Sequence, residues 1–360
     1  MNDIEIEILD MVTEEDFVNG IIDKSGVLYS RDGRLLLRCR NDRLKQYIIK
    51  DGTEIIYNCA FEEEYDGEHL QRIVIPDSVT TIADSAFHGC IHLHQISIPD
   101  SVTHIGSWAF GKCIMLPRIT LPASLKYIGD NPFCGNDYVR LTSNSSRFVV
   151  QDGFLIDNEE NRIIAYLRHE ESVNIPQNIK VIGNSAFWGC KSLCHITIPD
   201  SVTSIGFRAF FGCDSLQQID IPDSVESVDF DAFNHCDSLR QVVISKSLKI
   251  IERDVFSDCK SLCQIVIPDS VTAICEGAFY GCDTLQQITI PNSVTTIDGY
   301  GFANCKSLQQ ISISSSVTSI GENAFYNCPS LKRIILHGGN ARKIKKQLPK
   351  RFQKITECVE

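Results

Sequence analysis

Residues 198–220 have the sequence IPDSVTSIGFRAFFGCDSLQQID, and two close copies occupy residues 75–97 (IPDSVTTIADSAFHGCIHLHQIS) and 267–289 (IPDSVTAICEGAFYGCDTLQQIT). Most steps between such units are 23 residues long. The eleven units begin at Ile49, Ile75, Ile98, Leu121, Ile175, Ile198, Ile221, Ile244, Ile267, Ile290 and Ile313. A fixed period of this length is typical of a solenoid, in which each coil buries its apolar side against its neighbours.

A phenylalanine follows the first residue of every unit by twelve positions, so eleven of the 18 phenylalanines share one repeat position. They are Phe61, Phe87, Phe110, Phe133, Phe187, Phe210, Phe233, Phe256, Phe279, Phe302 and Phe325. We expect this column to point into the core, because only stacked neighbouring coils can cover so many rings.

The local pattern divides each coil into two short strands and two turns. Leu93–Pro99 alternates with period two, which predicts a strand with its isoleucines inward. Pro99–Ser101 has turn chemistry, and Val102–Gly106 is a second extended stretch. Ala109–Cys113 suits a single helical or 3₁₀ turn. Equivalent strands of successive coils are then expected to pair in parallel.

The repeat I-P-x-S-V-T-x-I-G-x-x-A-F-x-x-C-x-S-L-x-x-I-x resembles the BspA-like class of leucine-rich repeats over roughly residues 44–336. The resemblance implies an α/β repeat fold: a right-handed leucine-rich-repeat solenoid with short parallel strands and helical or 3₁₀ turns. It also implies a protein-binding surface, often that of an adhesin, and no shared active site. Many members carry export signals or surface anchors. This sequence shows neither, so the residues favour a cytoplasmic location and the family favours the cell surface.

The charge balance limits the classes of partner. With 34 Lys and Arg against 46 Asp and Glu, the net charge of the 360 residues is −12. General affinity for nucleic acid or anionic lipid needs a basic surface and is therefore not expected. No apolar run reaches the ~18–20 residues of a membrane span. We expect a protein as partner and a monomeric chain.

Nine of the 16 cysteines follow a unit start by fifteen residues. They are Cys90, Cys113, Cys190, Cys213, Cys236, Cys259, Cys282, Cys305 and Cys328. We predict a ladder of buried free thiols that act as small apolar side chains. Disulfides or metal clusters are the alternatives, but no C-x-x-C pair occurs.

Strand alternation places the residues one and three positions before each Ile-Pro on the solvent side of the sheet. These positions are polar and mostly uncharged, with a small apolar step at Val243 and Val266. The predicted partner-binding residues are Gln95, Arg118, His195, Thr197, Gln218, Asp220, Gln241, Gln264, Gln287, Gln310 and Arg333. Two interpretations stay open: amide columns that only stack on each other, or a recognition surface on a concave sheet.

Cofactor, metal and catalytic sites find little support in the sequence. An aspartate recurs at the third position of several units, at Asp77, Asp100, Asp200, Asp223 and Asp269. Calcium is conceivable there, but turn chemistry explains the column better. A histidine cluster could hold a metal, at His88, His92, His94 and His104. Phosphate-loop, nucleophile-elbow and zinc-protease motifs are absent from the sequence, so we predict no cofactor and no enzyme.

Two hairpins and a basic end interrupt the repeat. Residues 25–39 and 152–167 share a plan of glycine, apolar triplet, polar turn and second apolar triplet, which predicts β-hairpins. We therefore expect an N-terminal cap at 1–48, repeat blocks at 49–136 and 175–336, and an interrupting hairpin coil at 137–174. A basic C-terminal cap at 337–360 is favoured over a nucleic-acid patch.

The sequence thus favours a non-enzymatic scaffold that binds protein through a concave parallel sheet. The alternative is a cell-surface, adhesin-like module that binds host or matrix proteins, with contacts spread over many coils. A third hypothesis, an enzyme that uses the interrupting hairpin and the histidine cluster, needs a bound metal or measurable turnover.

Overall fold

The computed structural model describes residues 12–62, 70–136 and 138–359. It divides into two compact units: Met1–Glu159 with Ile164–Arg168, and Glu160–Ile163 with His169–Glu360. Both consist of stacked coils, and each regular coil contributes a strand just before the Ile-Pro position and a two-residue strand after the following turn.

Unit 1 begins with helix α1 (Glu14–Asn19), which a capping box starts at Thr13. The Thr13 side chain accepts a hydrogen bond from the Asp16 N–H, and the Asp16 carboxylate accepts one from the Thr13 N–H. An antiparallel arrangement of three strands follows: β1 (Ile21–Ile22), β2 (Val27–Tyr29) and β3 (Leu35–Cys39). Gly33, in the left-handed region at φ 77°, allows the tight turn between β2 and β3.

The coils of unit 1 extend this hairpin in parallel. The two-residue strands are β5 (Ile55–Ile56), β7 (Thr81–Ile82), β8 (His104–Ile105) and β10 (Tyr127–Ile128), which continue the sheet from β3. On the Ile-Pro side the parallel pairs are β4 (Gln46–Ile48) with β6 (Arg72–Val74), and β9 (Arg118–Leu121) with β11 (Arg140–Ser143). The predicted strand within Leu93–Pro99 is reduced to an isolated bridge between Arg72 and Gln95.

The second segment with the hairpin plan is also antiparallel. Strands β12 (Phe148–Gln151) and β13 (Phe154–Asp157) pair, and β14 (Arg162–Tyr166) follows. The Asp157 carboxylate is completely buried and receives the Arg147 guanidinium, with Nη2 2.8 Å from Oδ2. A charge-assisted bond of this kind fixes the hairpin more firmly than a surface ion pair would.

Unit 2 continues from the Arg162–Ile163 end of β14. Its two-residue strands are β16 (Val181–Ile182), β18 (Ser204–Ile205), β20 (Ser227–Val228), β22 (Ile250–Ile251), β24 (Ala273–Ile274), β26 (Thr296–Ile297) and β28 (Ser319–Ile320). Its Ile-Pro-side strands are β15 (Ser172–Asn174), β17 (His195–Thr197), β19 (Gln218–Asp220), β21 (Gln241–Val243), β23 (Gln264–Val266), β25 (Gln287–Ile290), β27 (Gln310–Ile313), β29 (Arg333–His337) and β30 (Thr356–Val359). Every strand pair that the structure assigns among them is parallel.

The phenylalanine column lies inside both units, as predicted. Its eleven rings are at most 4% exposed. Phe210, Phe233 and Phe256 stack with centroids 5.1 and 5.6 Å apart and nearly parallel planes. Tyr47 extends the column in unit 1, where its ring lies 6.2 Å from Phe61, and Phe352 closes it in unit 2, 5.9 Å from Phe325. Within each unit, successive rings of the column therefore pack on one another.

The cysteine ladder consists of buried free thiols, as predicted. Eight of the nine ladder thiols donate to the carbonyl of the phenylalanine in the preceding coil, as from Cys236 Sγ to Phe210 O at 3.2 Å. Where unit 1 lacks a ladder cysteine, Asn136 Nδ2 donates to the Phe110 carbonyl at 2.8 Å instead. The thiol thus satisfies a buried acceptor as well as filling space.

In most coils, the segment between the column phenylalanine and the ladder cysteine forms a single hydrogen-bonded turn. In one such turn the Cys213 N–H donates to the Phe210 carbonyl at 3.2 Å. Helices occur near the ends of the described chain: α1, α2 (Ala341–Gln347) and α3 (Lys350–Gln353). The solenoid of short parallel strands that the repeat predicts is therefore confirmed. In the described repeat coils, the segments between strands are turns and not helices.

Candidate partner-binding face

The strands before each Ile-Pro turn alternate side chains between the core and the solvent. In β19, Gln218 and Asp220 are exposed, and Ile219 between them is completely buried. We call the outward side of strands β17, β19, β21, β23, β25, β27 and β29 in unit 2 the glutamine face. It exists because a period of two turns every second residue outward.

The structure places all eleven predicted residues at solvent. Gln241 and Gln310 are half-buried, and the others are exposed. Gln95 and Arg118 belong to unit 1, where Arg118 lies opposite Arg140 in the β9–β11 pair. The nine residues of the glutamine face are His195, Thr197, Gln218, Asp220, Gln241, Gln264, Gln287, Gln310 and Arg333.

The register brings these nine residues together in separate groups. Gln218, Gln241 and Gln264 are direct partners across β19, β21 and β23. A second sheet aligns Gln287, Gln310 and Arg333. The sequence predicts one continuous column, but no strand pairing joins β23 to β25 among the described residues. The face is therefore stepped rather than uniform.

The side-chain amides of the three paired glutamines do not form a hydrogen-bonded ladder with one another. Gln218 Nε2 donates to Asp220 Oδ1 of its own strand at 3.0 Å. No hydrogen bond links the amides of Gln218, Gln241 and Gln264 across this described part of unit 2. Apart from the bond between Gln218 and Asp220, the donors and acceptors of these three amides therefore remain open to another molecule.

Arg333 is the exception, because it is already engaged. Its Nε and Nη2 contact the two carboxylate oxygens of Glu357 at 3.0 and 2.8 Å. This fork lowers the pKa of the Glu357 carboxyl below its ordinary value, chiefly through the hydrogen bond from the guanidinium. Arg333 thus joins β29 to β30 and offers less to a partner than the glutamines do.

An open groove of about 970 Å³ lies on the glutamine face beside Val243 and Val266. These two valines are direct partners in the β21–β23 register, and they are 47% and 79% exposed. Gln241, Gln264 and Gln287 also line the groove. An exposed apolar pair surrounded by amides combines an apolar contact with polar groups that can fix orientation.

The sequence-based prediction noted the apolar step at Val243 and Val266 but did not include the two valines among the contact residues. It also missed Ile48 and Val74 of unit 1, which are direct partners in β4 and β6 and are 72% and 38% exposed. Both pairs occupy the position one before the unit start. An apolar residue at that position in two consecutive units is the signal that could have found them.

The two alternative metal sites gain no support from the geometry. Asp223 Oδ1 accepts a hydrogen bond from the Lys246 N–H of the next coil at 2.9 Å, which is turn chemistry. Among residues 12–62, 70–136 and 138–359, no three potential His, Cys, Asp or Glu ligands lie together as a metal requires. Burial lowers the pKa of His88, which packs against Trp108.

Coils of two short parallel strands, stacked through phenylalanine and cysteine columns, define a leucine-rich-repeat solenoid. The model of the BspA type leucine rich repeat region matches residues 39–152, 165–286 and 249–358. The chain therefore belongs to the BspA-type leucine-rich repeat family. Proteins built on this repeat are generally scaffolds rather than enzymes.

Three solved bacterial leucine-rich repeat proteins are similar to this chain. A leucine-rich repeat protein from Eubacterium ventriosum is 23% identical and aligns with a TM-score of 0.71 over 86% of this chain and 92% of its own. One from Bacteroides ovatus is 25% identical, with a TM-score of 0.52 over 94% and 97%. A leucine rich cell surface protein from Faecalibacterium prausnitzii is 29% identical, with a TM-score of 0.53 over 77% and 74%.

No curated protein matches the sequence. Within the described residues, no helix has the length and apolar character needed to cross a bilayer.

Proposed function

We propose that the protein is a non-enzymatic scaffold that binds another protein through the glutamine face. The single observation that carries the proposal is the in-register pair Val243 and Val266, exposed in a groove that three glutamines also line. Apolar side chains standing at solvent in a polar sheet contribute nothing to the core. They gain free energy only when another surface covers them.

The amides beside the valines supply specificity without strong charge. Gln241, Gln264 and Gln287 each offer one acceptor and two donors. A face with little charge steers its partner weakly over long distances, so binding there depends on shape and hydrogen bonding. We therefore expect an affinity that changes little with salt concentration.

The valine pair supports a small central anchor surrounded by weaker contacts. Interfaces commonly concentrate their binding free energy in a few central residues, with a polar rim that excludes water. Under this proposal Val243 and Val266 are the centre, and the glutamines, Lys246 and Asp269 form the rim of the groove. Binding is thus expected to be far more sensitive to the valines than to distant coils.

The test replaces Val243 and Val266 together by aspartate and compares partner capture with that of the wild type. Ile250→Asp is the matched control, because Ile250 is 39% exposed but lies on the two-residue strand β22 rather than on the glutamine face. A protein captured by the wild type should bind the control normally and the double variant at least about tenfold more weakly.

A circular dichroism melt accompanies both variants to show that they fold. Equal binding by the double variant and the wild type would refute the assignment of the anchor. So would an equal loss in the Ile250→Asp control, since the glutamine face would then have no special role. Changing Gln218, Gln241, Gln264 and Gln287 to Glu tests the rim in the same assay.

A second candidate function is a cell-surface, adhesin-like module for host or matrix proteins. The observation that favours it is the similarity to the cell surface protein of Faecalibacterium prausnitzii. Contacts would then spread over many coils, so the double valine variant would lose little binding. Cell fractionation separates the two: an adhesin must be found outside the cell.

A further inference from the structure

The C-terminal helices concentrate positive charge on an acidic protein. Seven of the fourteen residues in 341–354 are lysine or arginine, and none is acidic. The rest of the chain has 27 basic and 46 acidic residues. We call the exposed members of this set the basic cap: Arg342, Lys343, Lys346, Lys350, Arg351 and Lys354.

Packing of the apolar side of these helices holds the charges on one surface. Ala341, Ile344, Leu348 and Phe352 are at most 5% exposed. Lys345 is not counted in the basic cap, because its ammonium group donates a hydrogen bond to the Thr356 carbonyl at 2.6 Å. The six cations of the basic cap are therefore exposed to solvent on helices that are packed against the protein.

None of the six cations of the basic cap forms an ion pair with a carboxylate in the described part of the chain. Some lysines in the coils of the same unit are paired: Lys260 contacts Asp237 and Lys306 contacts Asp283, both at 2.8 Å. Glu357, the acid on the adjacent strand β30, is taken by Arg333. The basic cap is thus left without counter-charges, and an anionic partner would relieve the repulsion among its cations.

A cleft of about 290 Å³ lies beside the basic cap, between the joint of the two helices and the last coil. Arg351 and Phe352 line one side, and Asn323 and Tyr326 line the other. Tyr326 is 54% exposed. The cleft offers an aromatic wall and a guanidinium, and its size suits one large side chain.

We propose that the basic cap and this cleft bind a short acidic segment of a partner protein. Carboxylates of the segment lie against the lysines and arginines, and one apolar or aromatic side chain enters the cleft. A short segment fits because a long polyanion, such as nucleic acid or an anionic bilayer, would also meet the acidic remainder of the chain. This surface is separate from the glutamine face, so the two proposals stand independently.

The test uses the full chain and a fluorescein-labelled nonapeptide, Glu-Glu-Glu-Glu-Phe-Glu-Glu-Glu-Glu, in fluorescence anisotropy titrations. Binding is expected at about 50 mM salt and should weaken about tenfold or more at about 300 mM, since exposed charges are screened. Replacing the central phenylalanine of the peptide by glycine should weaken binding several-fold. A nine-glutamine peptide should not bind.

Two triple variants distinguish the effect of the basic cap on peptide binding from the effect of the net charge of the protein. K343E/K346E/K350E should lose binding by about tenfold or more. K126E/K180E/K249E makes the same charge change at exposed lysines of the coils and should bind nearly as the wild type does. Thermal melts show whether each variant folds.

Three results would overturn the proposal. They are an absence of peptide binding by the wild type at low salt, an equal loss of affinity in both triple variants, and tighter binding of single-stranded DNA or phosphatidylserine vesicles than of the peptide. The last result would assign the basic cap to nucleic acid or membrane instead.

Discussion

Replacing Phe233 by alanine tests the stacked core most directly. The ring is completely buried and lies between Phe210 and Phe256, with centroid distances of 5.1 and 5.6 Å. Alanine removes the six ring carbon atoms and leaves a cavity bounded by coils that other contacts hold in place. Large-to-small changes of phenylalanine in a core cost about 3–5 kcal/mol, and the two aromatic contacts favour the upper part of that range.

Urea unfolding followed by circular dichroism measures this loss, and hydrogen exchange of the coils around Phe233 shows whether it is local. Local opening is expected because a repeat array is coupled mainly between neighbours. Phe230→Ala is the matched control: its ring is half-buried and contacts Phe207 at the surface, so we expect about 1–2 kcal/mol. A loss below about 1 kcal/mol for Phe233→Ala, or one equal to the control, would contradict the inward phenylalanine column.

Two further predictions concern buried ionisable groups. Burial raises the pKa of the ladder thiols Cys236 and Cys259 well above their ordinary value of 9.0. The folded state then holds these protons more tightly than the unfolded state, so their stabilising effect is complete below pH 9 and is lost as pH rises further. Urea midpoints measured from pH 7 to about 10.5 should fall above pH 9, and less steeply for C236S/C259S; equal slopes would remove the thiols as the cause. In unit 1, Arg147→Met removes the guanidinium that balances the charge of the buried Asp157 carboxylate and should cost about 3–5 kcal/mol. Arg34→Met breaks the exposed pair with Glu54 and should cost far less, because solvent screens that pair, and similar losses in the two variants would show that burial does not set the cost.

The repeat determines the core because each of its positions faces the same surroundings in every coil. The twelfth-position phenylalanine and the fifteenth-position cysteine could be placed inward from spacing alone, and both are buried. The hydrogen bonds that eight of the nine thiols donate to phenylalanine carbonyls could not be predicted from the spacing, because each of them joins two coils. Its substitute, Asn136, breaks the cysteine pattern while keeping the hydrogen bond.

The outward face was harder to predict, because periodicity shows which side chains point outward but not which of them another molecule covers. Alternation places Gln218 and Val266 on the same side of the sheet with equal weight. Only the structure shows that Val266 is 79% exposed beside a groove, whereas Arg333 is already bound to Glu357. A strand position therefore predicts access to solvent. The difference between a bound and an unbound side chain depends on neighbouring coils, and those contacts decide where a partner gains the most free energy.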